Sequence, residues 1–423
     1  MDSTKPISAV TGDSDYDPNS MSVAKAREYI RAFLAPVTAL ERLHIRAGLG
    51  RVLAEDLHST LAVPAHDNSA MDGYAVRFAD LRPTTEVMLK LIGTSFAGHP
   101  FEGDVGGGQA VRIMTGGVMP SGSDTVVMQE RTRTADGQVI VAGGQQKGQN
   151  VRYAGDDIKP GAVVFHRGQV VRPAEMGMIA SLGIGEVSVY RKLRVAFFST
   201  GDELIPIGSA LGPGQIYDSN RYTLYGMLKR LGVDVIDMGV IRDDPAAIEK
   251  AFIEAAQAAD VVITTGGVSV GEADFVKQLL AKLGDVLFWK IAMKPGRPLA
   301  YGKIGAAHFF GLPGNPVSAM VTFYQFVREA LLVLMGVPKP QPLPVLKATC
   351  TSAIKKAPGR TEFQRGILTQ GVDGQWTVRV TGDQSSGILS SMSLANCFIV
   401  LPDAQGNTQA GATVDVQVLE GVI

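Results

Sequence analysis

Three short stretches carry most of the chemistry this sequence could do. They are FFSTGDE (197–203), ITTGGVSVGEADF (263–275) and FFGLPGNPVSA (309–319). Each sets glycine among hydroxyl, carboxyl or amide side chains directly after an apolar run. Glycine lets backbone N–H groups approach a ligand with no Cβ in the way. A helix start just beyond adds unpaired donors and the positive end of its dipole. Such loops suit a phosphate or a similar oxyanion. The contact candidates are Ser199, Thr200 and Gly201 in the first loop, Thr265, Gly266, Gly267, Ser269 and Gly271 in the second, and Gly314 and Asn315 in the third. No GxxxxGK[ST] loop is present, and Gly266-Gly267…Gly271 has the wrong spacing for a dinucleotide fingerprint.

Cations and carboxylates accompany these loops. In WKIAMKPGRP (289–298), a strand over 286–293 would set Lys290, Ala292 and Lys294 on one face, with Arg297 beyond a Pro-Gly turn. Three close cations repel one another and suit an anionic partner. Asp202 and Glu203 follow the first apolar run, Glu272 and Asp274 follow the second, and Asp243 and Asp244 precede another helix, where helix capping is the ordinary role. Carboxylates beside phosphates point to a divalent cation such as Mg²⁺, with Glu203 and Asp274 as its candidate ligands. GVSVG (267–271) formally matches a nucleophile elbow. However, Ser269 lies past the strand, and the only later histidine, His308, sits in the apolar run AHFF, where core packing is expected.

The elements that must position these residues alternate between strand and helix from about 193 to 340. Apolar strands lead into helices beginning near Asp218, Pro245, Glu272 and Asn315. That alternation predicts an α/β domain with a mostly parallel sheet, whose ligands sit at the carboxyl ends of the strands. Before it, residues 60–156 read as a β-rich module of short strands between Gly, Pro, Ser and Asp turns. Residues 21–59 and 157–192 flank that module. After Pro338, residues 341–423 turn β-rich again and read as a small barrel or sandwich. Residues 1–20 are polar and turn-rich, and read as a disordered tail.

Composition excludes several classes. With 40 Lys+Arg against 41 Asp+Glu, no global charge points to nucleic acid or a membrane surface. The longest aliphatic stretch, ALLVLMGV from Ala330, falls well short of the roughly 20 residues of a membrane span. The two cysteines, Cys350 and Cys397, are far apart, which argues against a disulfide scaffold and fits a reducing cytoplasm.

Taken in order, DNSAMDGYAVR, VRIMTGGVMPSGSDTVV, GQNVRYAGDDI, STGDEL, GQIYDSNRYTL, ITTGGVSVGEADF, WKIAMKPGRP and GLPGNPVSA, with TGDQSSGILSSMSLANCFIVLP near the end, resemble the molybdopterin molybdenumtransferase (MoeA-type) family. The resemblance implies four domains: an elongated linker domain (21–59 and 157–192), a protruding β-rich domain (60–156), an α/β molybdopterin-binding domain (193–340) and a C-terminal β-barrel (341–423). It implies a cytoplasmic homodimer with its active site between subunits. The substrates would be adenylylated molybdopterin and molybdate, with AMP released and Mg²⁺ or another divalent cation assisting. Contacts with the molybdopterin adenylyltransferase and with molybdoenzyme insertion factors would follow.

Carried over residue by residue, the resemblance gives catalytic roles to Asp72, Glu203, Asp274, Lys290 and Lys294. It assigns substrate contacts to Thr115, Arg152, Asp157, Asp243, Pro313, Pro316 and Ser386. His66 stands where the family often has an aromatic residue, and RYAG replaces a more basic stretch beside Arg152. Two alternatives remain open at this point: a molybdopterin adenylyltransferase, and a non-catalytic scaffold of the same fold that binds a peptide.

Overall fold

The computed structural model describes residues 6–13, 16–266 and 273–419, with backbone alone at 273–275. It divides into two compact units, one of Arg42–Leu49 and Leu53–Ser188, the other of the remaining segments up to Glu41, Gly50–Val52 and from Val189 onward. The first long helix, α1 (Val23–Ala32), is capped by Ser22, whose hydroxyl accepts from the Lys25 amide at 3.1 Å. It belongs to the larger unit, although the sequence reading groups it with the linker. Its buried face of Ala26, Tyr29 and Ile30 packs in the same core as Trp289 and Tyr301.

The smaller unit is built on a six-stranded sheet of β1 (Gly73–Val76), β2 (Val87–Ser95), β3 (Gln109–Ile113), β4 (Thr125–Met128), β5 (Thr132–Ala135) and β6 (Gln138–Val141), in the order β4-β1-β3-β2-β6-β5. Only β2 and β3 run parallel. One face buries Tyr74, Val76, Leu89, Val127 and Val139. Helix α2 (Pro173–Ser181) starts with proline at its first turn, where no N–H is needed, and the Arg172–Glu175 pair at 2.5 Å closes its entry.

The larger unit holds β7 (Arg194–Thr200), β8 (Asp234–Ile241), β9 (Val261–Thr265), β10 (Gly284–Lys290), β11 (Pro298–Ile304) and β12 (Ala307–Leu312), in the order β8-β7-β9-β12-β11-β10. The first four in that order are parallel, and β11 and β10 complete the sheet antiparallel. Helices α3 (Ser219–Leu231), α4 (Pro245–Ala258) and α5 (Ala273–Leu283) intervene. Alternation along the strands sorts the two faces. Val195, Phe197, Val261 and Ile263 pack with Leu224 and Leu228 of α3, while Ala196, Phe198 and Val262 pack with Phe252 of α4 and Leu280 of α5. Each such side chain, fully buried, contributes roughly 1.5–3 kcal/mol of apolar transfer.

The chain leaves β7 towards β8 and then crosses back over β7 to reach β9. Connections that leave neighbouring strands in opposite directions open a crevice at their carboxyl ends. Strand β11 is absent from the sequence reading. Its Gly302 looks like a turn signal, but a Cβ there would lie 2.3 Å from the Asp285 carbonyl oxygen on β10, so close strand packing requires the glycine.

The expectation of a disordered tail is overturned over its described residues. Ile7 and Val10 are 1% and 0% exposed in the main core. The Lys290 amide donates to the Pro18 carbonyl at 2.7 Å, and the Met21 amide to the Lys290 carbonyl at 3.1 Å. The segment thereby covers the edge strand β10, which would otherwise present unpaired backbone groups. Composition conceals this because two apolar anchors suffice among polar neighbours.

Helix α6 runs from Pro316 to Leu334 with a π-helical turn at Phe323–Val327. It is apolar enough in composition to cross a membrane, but 72% of its most apolar window is buried inside the protein. Beyond it, β13 (Val345–Cys350), β14 (Thr361–Gln370), β15 (Trp376–Val380), β16 (Cys397–Leu401) and β17 (Thr413–Val418) close a barrel in the order β14-β15-β13-β17-β16, with β16 pairing back onto β14.

Candidate active site

A cleft of about 730 Å³ opens at the carboxyl rim of the α/β sheet. Thr200 from β7, Thr265 and Gly266 from β9, and Pro313, Gly314, Asn315 and Pro316 at the start of α6 line it. Glu203, Leu204 and the residues from Ile216 to Asn220 supply another wall, and Gly387 and Leu389 of the barrel supply the rim. The described parts of the three glycine loops therefore meet in one place. Gly267, Ser269 and Gly271 lie outside the described residues, as do Glu272 and the side chain of Asp274.

The glycines differ in what they are for. Gly266 has φ +86°, and a Cβ there would lie 2.6 Å from the Thr200 carbonyl oxygen. The chain itself therefore requires this glycine, to let β9 turn against β7. Gly314 is the contrasting case: among the described residues its Cβ would meet nothing nearer than the Gly266 Cα at 3.8 Å, so no described neighbour requires the glycine.

Hydroxyl groups tie the rim together. Ser199 is 1% exposed, and its Oγ pairs with Thr265 Oγ1 at 3.0 Å, so Ser199 braces the cleft rather than lining it. At α6, Asn315 does not cap the helix with its side chain. Its Nδ2 donates instead to Ser386 Oγ at 3.1 Å, while the Val317 amide donates to the Ser386 carbonyl at 3.2 Å. Ser386 thus joins the barrel to the first turn of α6. Behind it, Arg365 is 1% exposed and holds the loop, donating to Ser385 O and Ser391 Oγ at 3.1 Å each. Burial pushes its guanidinium down to about 10, still charged at neutral pH.

Carboxylates gather beside Glu203. The Asp243 amide donates to Asp202 Oδ1 at 3.2 Å. The Asp243 carboxyl is raised, first by partial burial and then by the charges of Asp202 and Glu203. Capping of α4 falls to Asp244, which accepts from the Ala247 amide at 2.8 Å. Among the described residues, no three His, Cys, Asp or Glu side chains are grouped closely enough to hold a metal ion by themselves.

The lysines need a correction. Strand β10 ends at Lys290, and Met293–Lys294 pairs with β14 of the barrel. Lys290 and Lys294 therefore belong to different sheets and do not share one strand face. The period-two extrapolation fails because the chain turns after Ile291 to take a barrel partner. Both are exposed, and neither is among the residues lining the cleft. Lys294 Nζ lies 3.6 Å from Glu362 Oε1, a carboxylate 5% exposed.

His308 is 7% exposed, and its Nδ1 lies 3.4 Å from the Tyr301 hydroxyl. Burial lowers it to about 4. It sits at the start of β12, the opposite end of the sheet from the cleft, and Ser269 lies outside the described residues.

In the smaller unit, the three family motifs converge. The Ser69 amide donates to Gly117 O, the Gly116 amide to Ser69 O, and the Ala70 amide to Asn150 O. Arg152 pairs with Asn68 in a short antiparallel bridge. Both the amide and the hydroxyl of Thr115 donate to Asp72 Oδ1 at 2.8 Å, which holds the Asp72 carboxyl below its ordinary value. Arg152 and Asp157 are exposed, and Arg152 forms no ion pair among the described residues.

Family models match the chain in this same order. "MoeA N-terminal region (domain I and II)" covers residues 21–183, "Probable molybdopterin binding domain" 196–333, and "MoeA C-terminal region (domain IV)" 347–419. The molybdopterin molybdenumtransferase of Haemophilus influenzae is 46% identical over 398 residues, spanning 94% of this chain and 98% of its own length.

The chain belongs to the molybdopterin molybdenumtransferase family.

Another member of this family, from Nostoc sp., is 38% identical over 90% of the chain and 88% of its own length. The crystal structure of a molybdopterin biosynthesis moeA protein from Pyrococcus horikoshii superposes with a TM-score of 0.83 at 29% identity, covering 95% of this chain and all of that one. Family membership agrees with the multidomain fold and the closed barrel described above. Sequence reasoning missed the wall formed by Asp218, Asn220, Tyr217 and Leu389. The motif GQIYDSNRYTL contained part of it, but the visible signal there was only a helix cap.

Proposed function

We propose that this chain inserts molybdenum into molybdopterin, taking adenylylated molybdopterin and molybdate and releasing AMP. The observation that carries the reading is the cleft. Its volume of about 730 Å³ suits a small anionic ligand, and it is built from the loops that the family motifs mark. Backbone N–H groups around Gly266, Gly314 and the start of α6 would hold phosphate oxygens, with Thr200 and Thr265 beside them. Lys290 and Lys294, which are not among the residues lining the cleft, would offset ligand charge from outside it. Pro313, Pro316 and Ser386 would fix the rim. Preorganised donors of this kind are worth about 3–4 kcal/mol of barrier for one oxyanion contact.

Partial burial and then the charges of Asp202 and Glu203 raise the Asp243 carboxyl, and a divalent cation beside these carboxylates would offset that charge. Glu203, with Asp274, would hold Mg²⁺, and phosphate oxygens must complete the shell. Bound there, the cation would supply charge neutralisation to the phosphoanhydride. Asp72 from a second copy of the chain, oriented by Thr115, would position the water that attacks that bond. Arg152 and Asp157 would contact the substrate, and Asp243 would sit beside the metal. In this reading the enzyme is a cytoplasmic homodimer that receives its substrate from an adenylyltransferase and passes its product to insertion factors.

The test incubates the purified chain with adenylylated molybdopterin, molybdate and Mg²⁺, and measures released AMP together with pterin-bound molybdenum. The reading expects the two in equal amounts. Intact adenylylated substrate with no pterin-bound molybdenum overturns it, and ATP consumption with free molybdopterin supports the adenylyltransferase instead.

A further inference from the structure

Asp218 caps α3 with one oxygen only. Its Oδ1 accepts from the Arg221 amide at 3.1 Å. The residue is 4% exposed, and its Oδ2 is buried with no hydrogen-bond partner among the described residues. Two positions on, Asn220 Nδ2 donates to the Gly314 carbonyl at 2.7 Å, which fixes the orientation of the amide. Asn220 Oδ1 is also buried and unpartnered. Both residues line the cleft.

Two acceptors on residues two apart in the chain, with no donor among the described residues, are a costly arrangement unless a ligand supplies N–H groups. A phosphate cannot, since it offers only acceptors and negative charge. No lysine or arginine lines the cleft among the described residues, and Arg221 is engaged with Asp237 at 2.8 and 2.9 Å. The adjoining wall is apolar, with Leu204, Ile216, Tyr217 and Leu389. Along the cleft the first turn of α6 offers N–H donors, while Asp218 and Asn220 offer acceptors beside apolar surface.

We propose that Asp218 and Asn220 recognise the aminopyrimidinone edge of the pterin, accepting from its ring N3–H and its exocyclic 2-amino group. This rests on the reading above that the substrate carries a pterin. An adenine edge offers one amino donor beside a ring acceptor, which would leave one protein oxygen facing a lone pair. The two acceptors therefore set which heterocycle enters.

The experiment titrates the full chain with 6-hydroxymethylpterin by fluorescence, and separately with AMP and with Mg²⁺ alone by calorimetry. The variants are Asp218→Asn and Asn220→Ala. Asparagine keeps the cap to Arg221 and the side-chain shape, so Asp218→Asn should melt with the parent. The expected result is pterin affinity at least tenfold weaker in each variant, about 1.4 kcal/mol, with AMP affinity changed less than twofold. Unchanged pterin affinity in Asp218→Asn overturns the assignment. So does loss of Mg²⁺ binding in that variant with pterin binding intact, which would make the acceptors cation ligands. A parent protein that binds no pterin overturns the broader reading as well, so the two failures are distinguishable.

Discussion

Thr115 donates twice to Asp72, from its amide and from its hydroxyl, both to Oδ1 at 2.8 Å. Among the described residues no hydrogen bond reaches the second oxygen of Asp72. The two donors lower the carboxyl from its ordinary value. A lowered carboxylate favours the fold above the ordinary carboxylate range, and this contribution is lost as pH falls through its own depressed value. Replacing Thr115 by valine removes the hydroxyl and keeps the amide. The acid limb of kcat/KM should move to higher pH, with a loss on the order of tenfold at its optimum. A pH–rate profile of Thr115→Val checks both.

Asp243 behaves with the opposite sign. Burial and the charges of Asp202 and Glu203 raise its carboxyl, so its ionised form costs stability once the pH exceeds its folded-state value. Asp243→Asn should therefore melt higher than the parent at pH 7.5 while losing activity, a trade expected at functional sites. Mg²⁺ should raise the parent's melting temperature more than the variant's. Melting curves with and without Mg²⁺ decide.

Gly266→Ala should be costly. The substitution meets both a left-handed backbone, worth about 1–2 kcal/mol, and the Thr200 carbonyl oxygen 2.6 Å from the new Cβ. Thermal unfolding should fall by several degrees, and pterin affinity should fall with it, because Thr200 and Gly266 line the same cleft.

Arg365→Met removes the donors to Ser385 O and Ser391 Oγ. Leaving those acceptors unmet should cost roughly 1–3 kcal/mol. Ser386 should then hold α6 less firmly, raising KM more than it lowers kcat. Steady-state kinetics should show that split, with partial recovery in Arg365→Lys.

Much of the organisation was legible. Apolar runs ending in glycine loops marked β7, β9 and β12, and the cap signals at Asp218 and Asp244 were correct. Packing decided the rest. Lys290 and Lys294 looked like one strand face because period two was extended past Ile291, where the chain leaves the α/β sheet for the barrel. Strand β11 was hidden because Gly302 imitates a turn. The N-terminal segment looked solvated because Ile7 and Val10 are isolated among polar residues. Asp218 had a sufficient local role as a cap, so nothing in the sequence signalled its unused oxygen.

The most direct measurement is a crystal of the protein soaked with adenylylated molybdopterin, with the ligand located by difference density. The account predicts phosphate oxygens beside Gly314 and the first turn of α6, with the pterin against Asp218 and Asn220. Ligand density that lies wholly outside this cleft, with Thr200, Gly266 and Asp218 untouched, would contradict it.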